Sequence, residues 1–501
     1  MATNNPDSKP NIVLVFTDNQ QASTLACYGN SEVQTPHLDR LASEGFRFDN
    51  AYCPNSFCSP CRASTFTGLL PSQHGVHSWI DDRKSADWPG GWHALDGLST
   101  LPEILQSNGY RTGLFGKYHL GTPTIPAAGW DSWVTMEDGH VRSFYHNRIF
   151  DNGEVYDHDG PSVDFFTGKA MEFIADQGDQ PFFAYLPYPS PYGHWPATRE
   201  AGEHRFSHRY DDCPMNSIPR VGLSPEAVRG YDMLKAGSGK GLDFSMMLRA
   251  PNDLTTYRNY YAQITLIDDC IGQICDQLQQ AGQLDNTLVI FTADHGLSLG
   301  HHGFWGHGGA SFPSNLHYAT HSIPLIFNHR GRIAPGQVSD LHTSNLDIFA
   351  TLLDYLNIDH PSKADPDNTS RSLSGLLQGE DLADWGEDEV YSEQEETRVL
   401  RTPQWVYFRR FSGHPEERPG DALFDVQKDP DEEDNLINDP DHQEIAATLA
   451  AKIDDFFNCH ARREADLWHG GQPIQNAIRA GFWRESWGED WHPVFQYDGE
   501  D

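Results

Sequence analysis

The chain has 501 residues, too many for one compact core, with the composition of a globular protein at 38% hydrophobic residues. Its 35 basic and 72 acidic residues leave a formal charge of −37, which argues against nucleic acid or a membrane surface as a partner and makes any long polyanionic substrate dependent on a local basic pocket. No apolar stretch is long enough to span a bilayer, and "MATNNPDSKPN" does not show the charged n-region and apolar h-region expected of a secretory signal. As written the chain is expected to be cytoplasmic, or periplasmic or secreted if the N-terminus is trimmed; eight cysteines do not make a disulfide scaffold.

"NIVLVF", residues 11–16, is a continuous apolar, β-branched run. It predicts a strand buried on both faces that stops at Thr17-Asp18-Asn19. "TPHLDRLASEGFRFDNAYC" predicts a helix followed by an extended piece. "NSFCSPCRASTFTG", residues 55–68, puts Pro60 in the first turn of a helix that ends at Gly68. Cys58 then lies at a helix N-terminus, where partial positive charge favours anions. "STLPEILQSNGY" predicts an amphipathic helix closed by Asn108-Gly109. "RTGLFGKYHLG" predicts a short strand that delivers Lys117 and His119, and "PFFAYLPY" another, after which "PSPYGHWP" places His194. A long helical pattern runs from Thr255 to Ala281, and "NTLVIFTADHG" repeats the opening logic, a buried strand ending in Asp294-His295. "SIPLIF" and "TSNLDIFATLLDYLNI" predict one more strand and helix. Strands alternating with helices imply an α/β domain over 1–380, a mostly parallel sheet with helices on both faces and polar residues at the strands' carboxyl ends lining the site.

After about residue 380 the texture changes. "DEVYSEQ", "TRVLRT", "QWVYFRRF" and "ALFDVQ" predict a small antiparallel sheet, followed by the acidic turn "DPDEEDNL" and a helix from about His442 to Phe457. The subdomain 381–501 ends in a tail with Trp468, Trp483, Trp487 and Trp491, expected to pack on the body or against a second subunit, which leaves a homo-oligomer open.

Cys58 and Cys61 could form a redox dithiol or half a zinc site. No second C-x-x-C exists to complete a zinc site, and no small thioredoxin-like domain surrounds the pair. Asp18-Asn19 and Asp294-His295 could each merely cap a helix. Brought to one sheet edge, they supply two carboxylates, an amide oxygen and an imidazole, a credible divalent cation site. Lys117, His119 and His194 add cations and donors for an anionic group.

C-x-P-x-R with an upstream strand-Asp, "GKYHLG" and a later "TADHG" resembles the type I sulfatases of the alkaline phosphatase superfamily. "QTPHLDRLASEGFRF", "NLDIFATLLDYL" and "ALFDVQKDPDEEDNL" extend the likeness, in order, over nearly the whole chain. The resemblance implies an alkaline-phosphatase-like fold and a sulfuric ester hydrolase acting on a carbohydrate, aryl or small alkyl sulfate. It implies that a maturation enzyme reads C-x-P-x-R and converts Cys58 to formylglycine, whose hydrate attacks sulfur and later expels sulfate. It implies one divalent cation, Ca2+ first and Mn2+ or Mg2+ next, on Asp18, Asn19, Asp294, His295 and the modified Cys58. Arg62 would steady the hydrate, Lys117 would bind sulfate, His119 would take the proton of the second hydroxyl, and His194 would protonate the leaving oxygen. Asn19 stands where many members have a second aspartate. Members also usually carry a second lysine after the "DHG" segment; none lies between Lys240 and Lys363, and His307 in "FWGHGG" is the nearest stand-in, with His301, His302 and His317 in the same stretch. The rivals are a phosphonate monoester or phosphodiester hydrolase of the same superfamily, and a silent binding protein with an unmodified cysteine. Trp79, Trp88, Trp92, Trp195 and Trp305 lie near the motifs in sequence and could stack on a sugar or aryl group.

Overall fold

The computed structural model describes residues 9–80, 85, 87–141, 143–176, 178, 180–192, 202–237, 251, 253–363, 365, 367–380, 382, 385–415 and 420–495. The residues at 11–16 have no polar side chain to satisfy after Asn11, and they form the strand Asn11–Thr17 at the centre of a ten-stranded sheet, buried along its whole length. Its side chains alternate between two cores: Val13 and Val15 pack on one face, Ile12, Leu14 and Phe16 on the other. Each large apolar side chain so buried contributes about 1.5–3 kcal/mol, so the strand that leads into Asp18 is firmly fixed.

Across the sheet the order is Gln337–Ser339, Phe46–Phe48, Leu325–Asn328, Thr287–Ala293, Asn11–Thr17, Phe182–Pro187, Arg111–Gly116, Ser132–Met136, His146–Asp151 and Glu154–Asp159. The five strands from Thr287–Ala293 to Ser132–Met136 are mutually parallel; Leu325–Asn328 and His146–Asp151 run against their neighbours. The long helix Leu254–Gln280 and the helix Ser162–Ala175 cover one face. The helices Cys58–Thr67, Leu101–Ser107 and Ile348–Tyr355 cover the other. The fold is alkaline-phosphatase-like.

The strands Val390–Gln394, Thr397–Arg401, Trp405–Arg410 and Ala422–Asp425 make a four-stranded antiparallel sheet, with the helix Gln443–His460 packed on it. The tryptophan tail packs on the body: Trp483 and Trp491 sit in one apolar cluster with Phe312 and Phe411. Among the described residues no helix is long and apolar enough to cross a membrane.

Asp268, on the long helix, accepts the backbone N–H groups of His37 (3.2 Å) and Leu38 (2.7 Å) and so caps the helix Pro36–Ser43 from outside its own chain segment. Burial pushes its carboxyl up to about 7, against those two N–H donors. A folded value above the unfolded one means a stabilising contribution that is full below about pH 4 and lost as pH rises through about 7. Asp268→Asn should therefore flatten the stability-versus-pH curve between these values in denaturant melts; an unchanged slope would remove Asp268 as its source.

Candidate active site

Thr17 and Ala293 end two parallel strands in register, so the next residues, Asp18 and Asp294, leave the sheet side by side. Asp294 Oδ1 accepts the N–H groups of His295 (2.8 Å) and Asn19 (3.2 Å). Asn19 holds a left-handed backbone, φ 65°, with its carbonyl taken by the Tyr260 hydroxyl at 2.6 Å. Its side-chain amide is buried, and neither Oδ1 nor Nδ2 has a partner at hydrogen-bonding geometry. Cys58 opens its helix with Sγ 3.6 Å from Asp18 Oδ1 and 3.4 Å from His295 Nε2. Ligand atoms of Asp18, Cys58, Asp294 and His295 all lie within 4.8 Å of one another, and all four residues are buried. His295 Nδ1 is 2.8 Å from the Gly296 carbonyl, which can only accept. The proton is therefore on Nδ1 and the lone pair on Nε2, the form that ligates a metal. Two carboxylates, this nitrogen and the buried amide of Asn19 fit a divalent cation.

The anions are matched by cations. Arg62, one helical turn after Cys58, places Nη2 3.2 Å from Asp18 and 2.9 Å from Asp294, while Nη1 donates to the Lys117 carbonyl at 2.8 Å. Lys117 Nζ is 2.6 Å from Asp18. Lys117 follows Gly116, whose φ is 145° and where a Cβ would come 2.2 Å from the Pro187 carbonyl oxygen; only glycine lets the two strands close up at this point. Burial alone would raise the Asp18 carboxyl, but Lys117 and Arg62 outweigh it and hold Asp18 well below the usual carboxylate range. Removing Arg62 would leave buried charge uncompensated, at a cost of about 3–5 kcal/mol. Burial and then the Asp18 carboxylate push the Cys58 thiol well above its ordinary range, so a plain cysteine here is a neutral thiol and a weak nucleophile.

His119, buried with φ 59°, places Nε2 3.0 Å from the Ile80 carbonyl. That oxygen can only accept, so the His119 lone pair is on Nδ1. Ser59, next to Cys58, ties the two segments together: its hydroxyl donates to the His119 carbonyl (2.8 Å) and accepts the Ile80 N–H (3.0 Å). His307 lies with its ring 5.5 Å from that of His295 and 4.9 Å from that of Phe57. His302 and His317 turn the other way, their nitrogens 2.7 Å from the Asp431 carbonyl and 2.8 Å from the Glu432 carboxylate in the C-terminal acidic turn. His194 and Trp195 fall outside the described residues. Trp305 is buried, its indole N–H on the Val221 carbonyl at 3.0 Å.

Sequence reasoning passed over three neighbours. Tyr192 lies with its ring 5.9 Å from the Lys117 ammonium, Gln263 fixes Ser190 and Tyr192 from the long helix, and His140 sets its ring 4.7 Å from that of His119. Tyr192 sits in the quoted "PSPYGHWP", but no spacing in the chain marks Gln263 or His140.

Cys58 and Cys61 are both free thiols. Cys61 turns away, donating to the Asp294 carbonyl (2.6 Å) and accepting from Asn345 Nδ2 (3.0 Å). The chain matches the family model for Sulfatase over residues 10–358 and that for N-sulphoglucosamine sulphohydrolase, C-terminal, over 314–458. It belongs to the sulfatase family. It is therefore an enzyme, a hydrolase of sulfate esters within the alkaline phosphatase superfamily. Among its relatives, an N-acetylglucosamine-6-O-sulfatase of Bacteroides thetaiotaomicron is 27% identical over 440 residues, 76% of this chain and 74% of that protein. The human N-sulphoglucosamine sulphohydrolase is 29% identical over 421 residues, 80% of this chain and 73% of that protein. The solved structure of BT4656 in complex with its substrate D-glucosamine-2-N,6-O-disulfate superposes with a TM-score of 0.72 at 22% identity, covering 90% of this chain and 98% of that one.

A serine hydroxyl can both donate to Asp294 and accept from Asn345, so Cys61→Ser should keep turnover within about twofold of the parent, since volume and hydrogen bonding are preserved. Cys58→Ala should abolish it. Equal loss in both variants would restore the dithiol reading.

Proposed function

We propose that the chain hydrolyses an organic sulfate monoester with the hydrate of formylglycine, made from Cys58 by a maturation enzyme, as nucleophile and one divalent cation, calcium first and manganese or magnesium next. The observation that carries this reading is the convergence of Asp18, Asp294 and His295 on the Cys58 side chain, with Arg62 and Lys117 bound to the carboxylates. Asp18, Asn19, Asp294, His295 and the modified side chain would hold the ion. When bound, the cation supplies Lewis acidity to an oxygen nucleophile and shields the sulfate charge. The aldehyde supplies a nucleophile that can be regenerated without water attacking sulfur.

The remaining chemistry belongs to the chain's own side chains. Arg62 holds both carboxylates aimed at one point and cannot itself deprotonate. Lys117, already buried against Asp18 and beside Tyr192, binds the sulfate oxygens as a compact cation. His119 takes a proton at Nδ1, its Nε2 being engaged by Ile80. His307 takes the place of the second lysine beside His295. His194 protonates the leaving oxygen. A sulfated sugar is the first substrate class to test. Support comes from the two relatives named for glucosamine sulfates and from the glucosamine disulfate complex that shares this fold.

The test is sulfate release from glucosamine 6-sulfate, glucosamine 2-N-sulfate, an alkyl sulfate and nitrophenyl sulfate, before and after chelation and with each ion added back. Peptide mass checks Cys58 conversion in the same sample. Calcium should restore turnover lost on chelation; activity that survives complete metal removal would end the metal reading. Faster turnover of a phosphonate monoester would return the rival hydrolase.

His194 has its own signature. A nitrophenolate leaves without much help, whereas a sugar or alkyl alkoxide needs a proton in the transition state. General acid catalysis contributes roughly a hundred- to ten-thousand-fold, so His194→Ala should damage alkyl and sugar sulfates far more than the aryl ester. Equal losses on both would pass the acid role to His307.

A further inference from the structure

The tail beyond residue 458 lies outside both family-model matches, yet it holds two walls of the site. On the first wall, the Ile474 N–H donates to the Gly75 carbonyl at 2.8 Å, and Asn476 Nδ2 donates to the Trp79 carbonyl at 2.9 Å. Trp79 adjoins Ile80, whose carbonyl fixes the His119 tautomer and whose N–H is bound by Ser59. On the second wall, Arg479 donates to the Ser311 carbonyl (2.7 Å) and the Ser314 hydroxyl (2.6 Å) and pairs with Glu396. Glu396 in turn accepts the Ser314 N–H at 2.7 Å. That loop begins at His307: Ala310 N–H donates to the His307 carbonyl (2.9 Å) and Asn315 N–H to the Gly308 carbonyl (2.9 Å).

The strap is anchored at its far side. Glu395, at the tip of the hairpin between Val390–Gln394 and Thr397–Arg401, accepts the Ile478 N–H (3.2 Å) and the Trp483 indole N–H (3.0 Å). Trp483 is buried completely. Two residues three positions apart on one docked segment thus reach the His119 wall and the His307 wall.

We propose that residues 474–483 are a strap that sets the spacing of these two walls, with Asn476 and Arg479 as positioning residues. Asn476 and Arg479 bond the Trp79 carbonyl, Ser311, Ser314 and Glu396, so their effect passes through the Trp79–Ile80 and Ser311–Ser314 backbones. Its catalytic consequence rests on the sulfatase reading; its holding of the two segments does not.

The experiment follows amide hydrogen exchange over 75–80 and 308–315 in the full-length protein, with kcat and KM on nitrophenyl sulfate and thermal melts alongside. The variants are Asn476→Ala, the isosteric Asn476→Asp, which lacks the N–H, and Arg479→Lys. Both Asn476 variants should speed exchange over 75–80 by about tenfold while distant strands keep parental rates. They should lower kcat about tenfold with KM within about twofold, as a small displacement of a catalytic group does. Arg479→Lys should loosen 308–315 in the same local way. Unchanged exchange in both segments would overturn the strap, as would loosening spread evenly with a lowered melting temperature. Local loosening with kcat intact would overturn its positioning role. A parent protein inactive on every sulfate ester would instead sink the proposed function, and the exchange data would still decide the strap.

Discussion

Two carboxylates withdrawn from water stay ionised only if cations are withdrawn with them. Asp18 and Asp294 are both fully buried, and the site is built around meeting that demand. Arg62 answers it by contacting both acids at once, which requires the helix Cys58–Thr67 to lie with its first turn against the two strand ends. Once that turn is fixed, Cys58 has one place to be: at the helix start, facing Asp18 and His295. Lys117 answers the rest of the demand, and the close approach of its strand to Phe182–Pro187, possible only through Gly116, delivers it. The placements of Cys58, of the candidate cation-binding group and of Lys117 are thus consequences of one electrostatic requirement.

The parts legible in the sequence were those whose physics is local. A doubly buried strand reads as an unbroken apolar run, so Asn11–Thr17, Phe182–Pro187 and Thr287–Ala293 could be placed, and with them the acids at their ends. The helix from Cys58 to Gly68 was legible because Pro60 and the glycine, φ 71°, mark its two ends. Parts missed include two ordinary helices, Ser162–Ala175 and Pro225–Gly237, and several elements that are short or polar. Ser132–Met136 is five residues without a clear period, and His146–Asp151 with Glu154–Asp159 is a charged edge hairpin. That hairpin did carry a usable signal, Asn152-Gly153 with both residues at positive φ.

The histidine stretch shows where one dimension stops. His301, His302, His307 and His317 were indistinguishable by residue type. What separates His307 from His302 and His317 is the buried Glu432, which with Arg401 draws His317 into the C-terminal sheet, while His302 bonds the backbone of the same turn. That partner is more than a hundred residues away in sequence, and no spacing rule reaches it. Gln263 and His140 are silent for the same reason: each matters through a neighbour that only the folded chain supplies.

Charge also shapes what can approach. Without an ion, the two carboxylates are balanced by Arg62 and Lys117, so the buried cluster is near neutral; a divalent ion would leave it doubly positive, enough to attract a sulfate monoanion at short range. Outside, the chain carries −37. That outer field is screened beyond about 8–10 Å at physiological ionic strength, while the buried cluster is screened far less. A small, singly sulfated ester meets the outer field only briefly before reaching the cations. A heavily sulfated polymer keeps most of its charge outside, against the acidic surface. On charge alone a long polyanionic ester is opposed by the net charge of the chain unless a local basic pocket offsets it, while the cations of the buried cluster act only at short range.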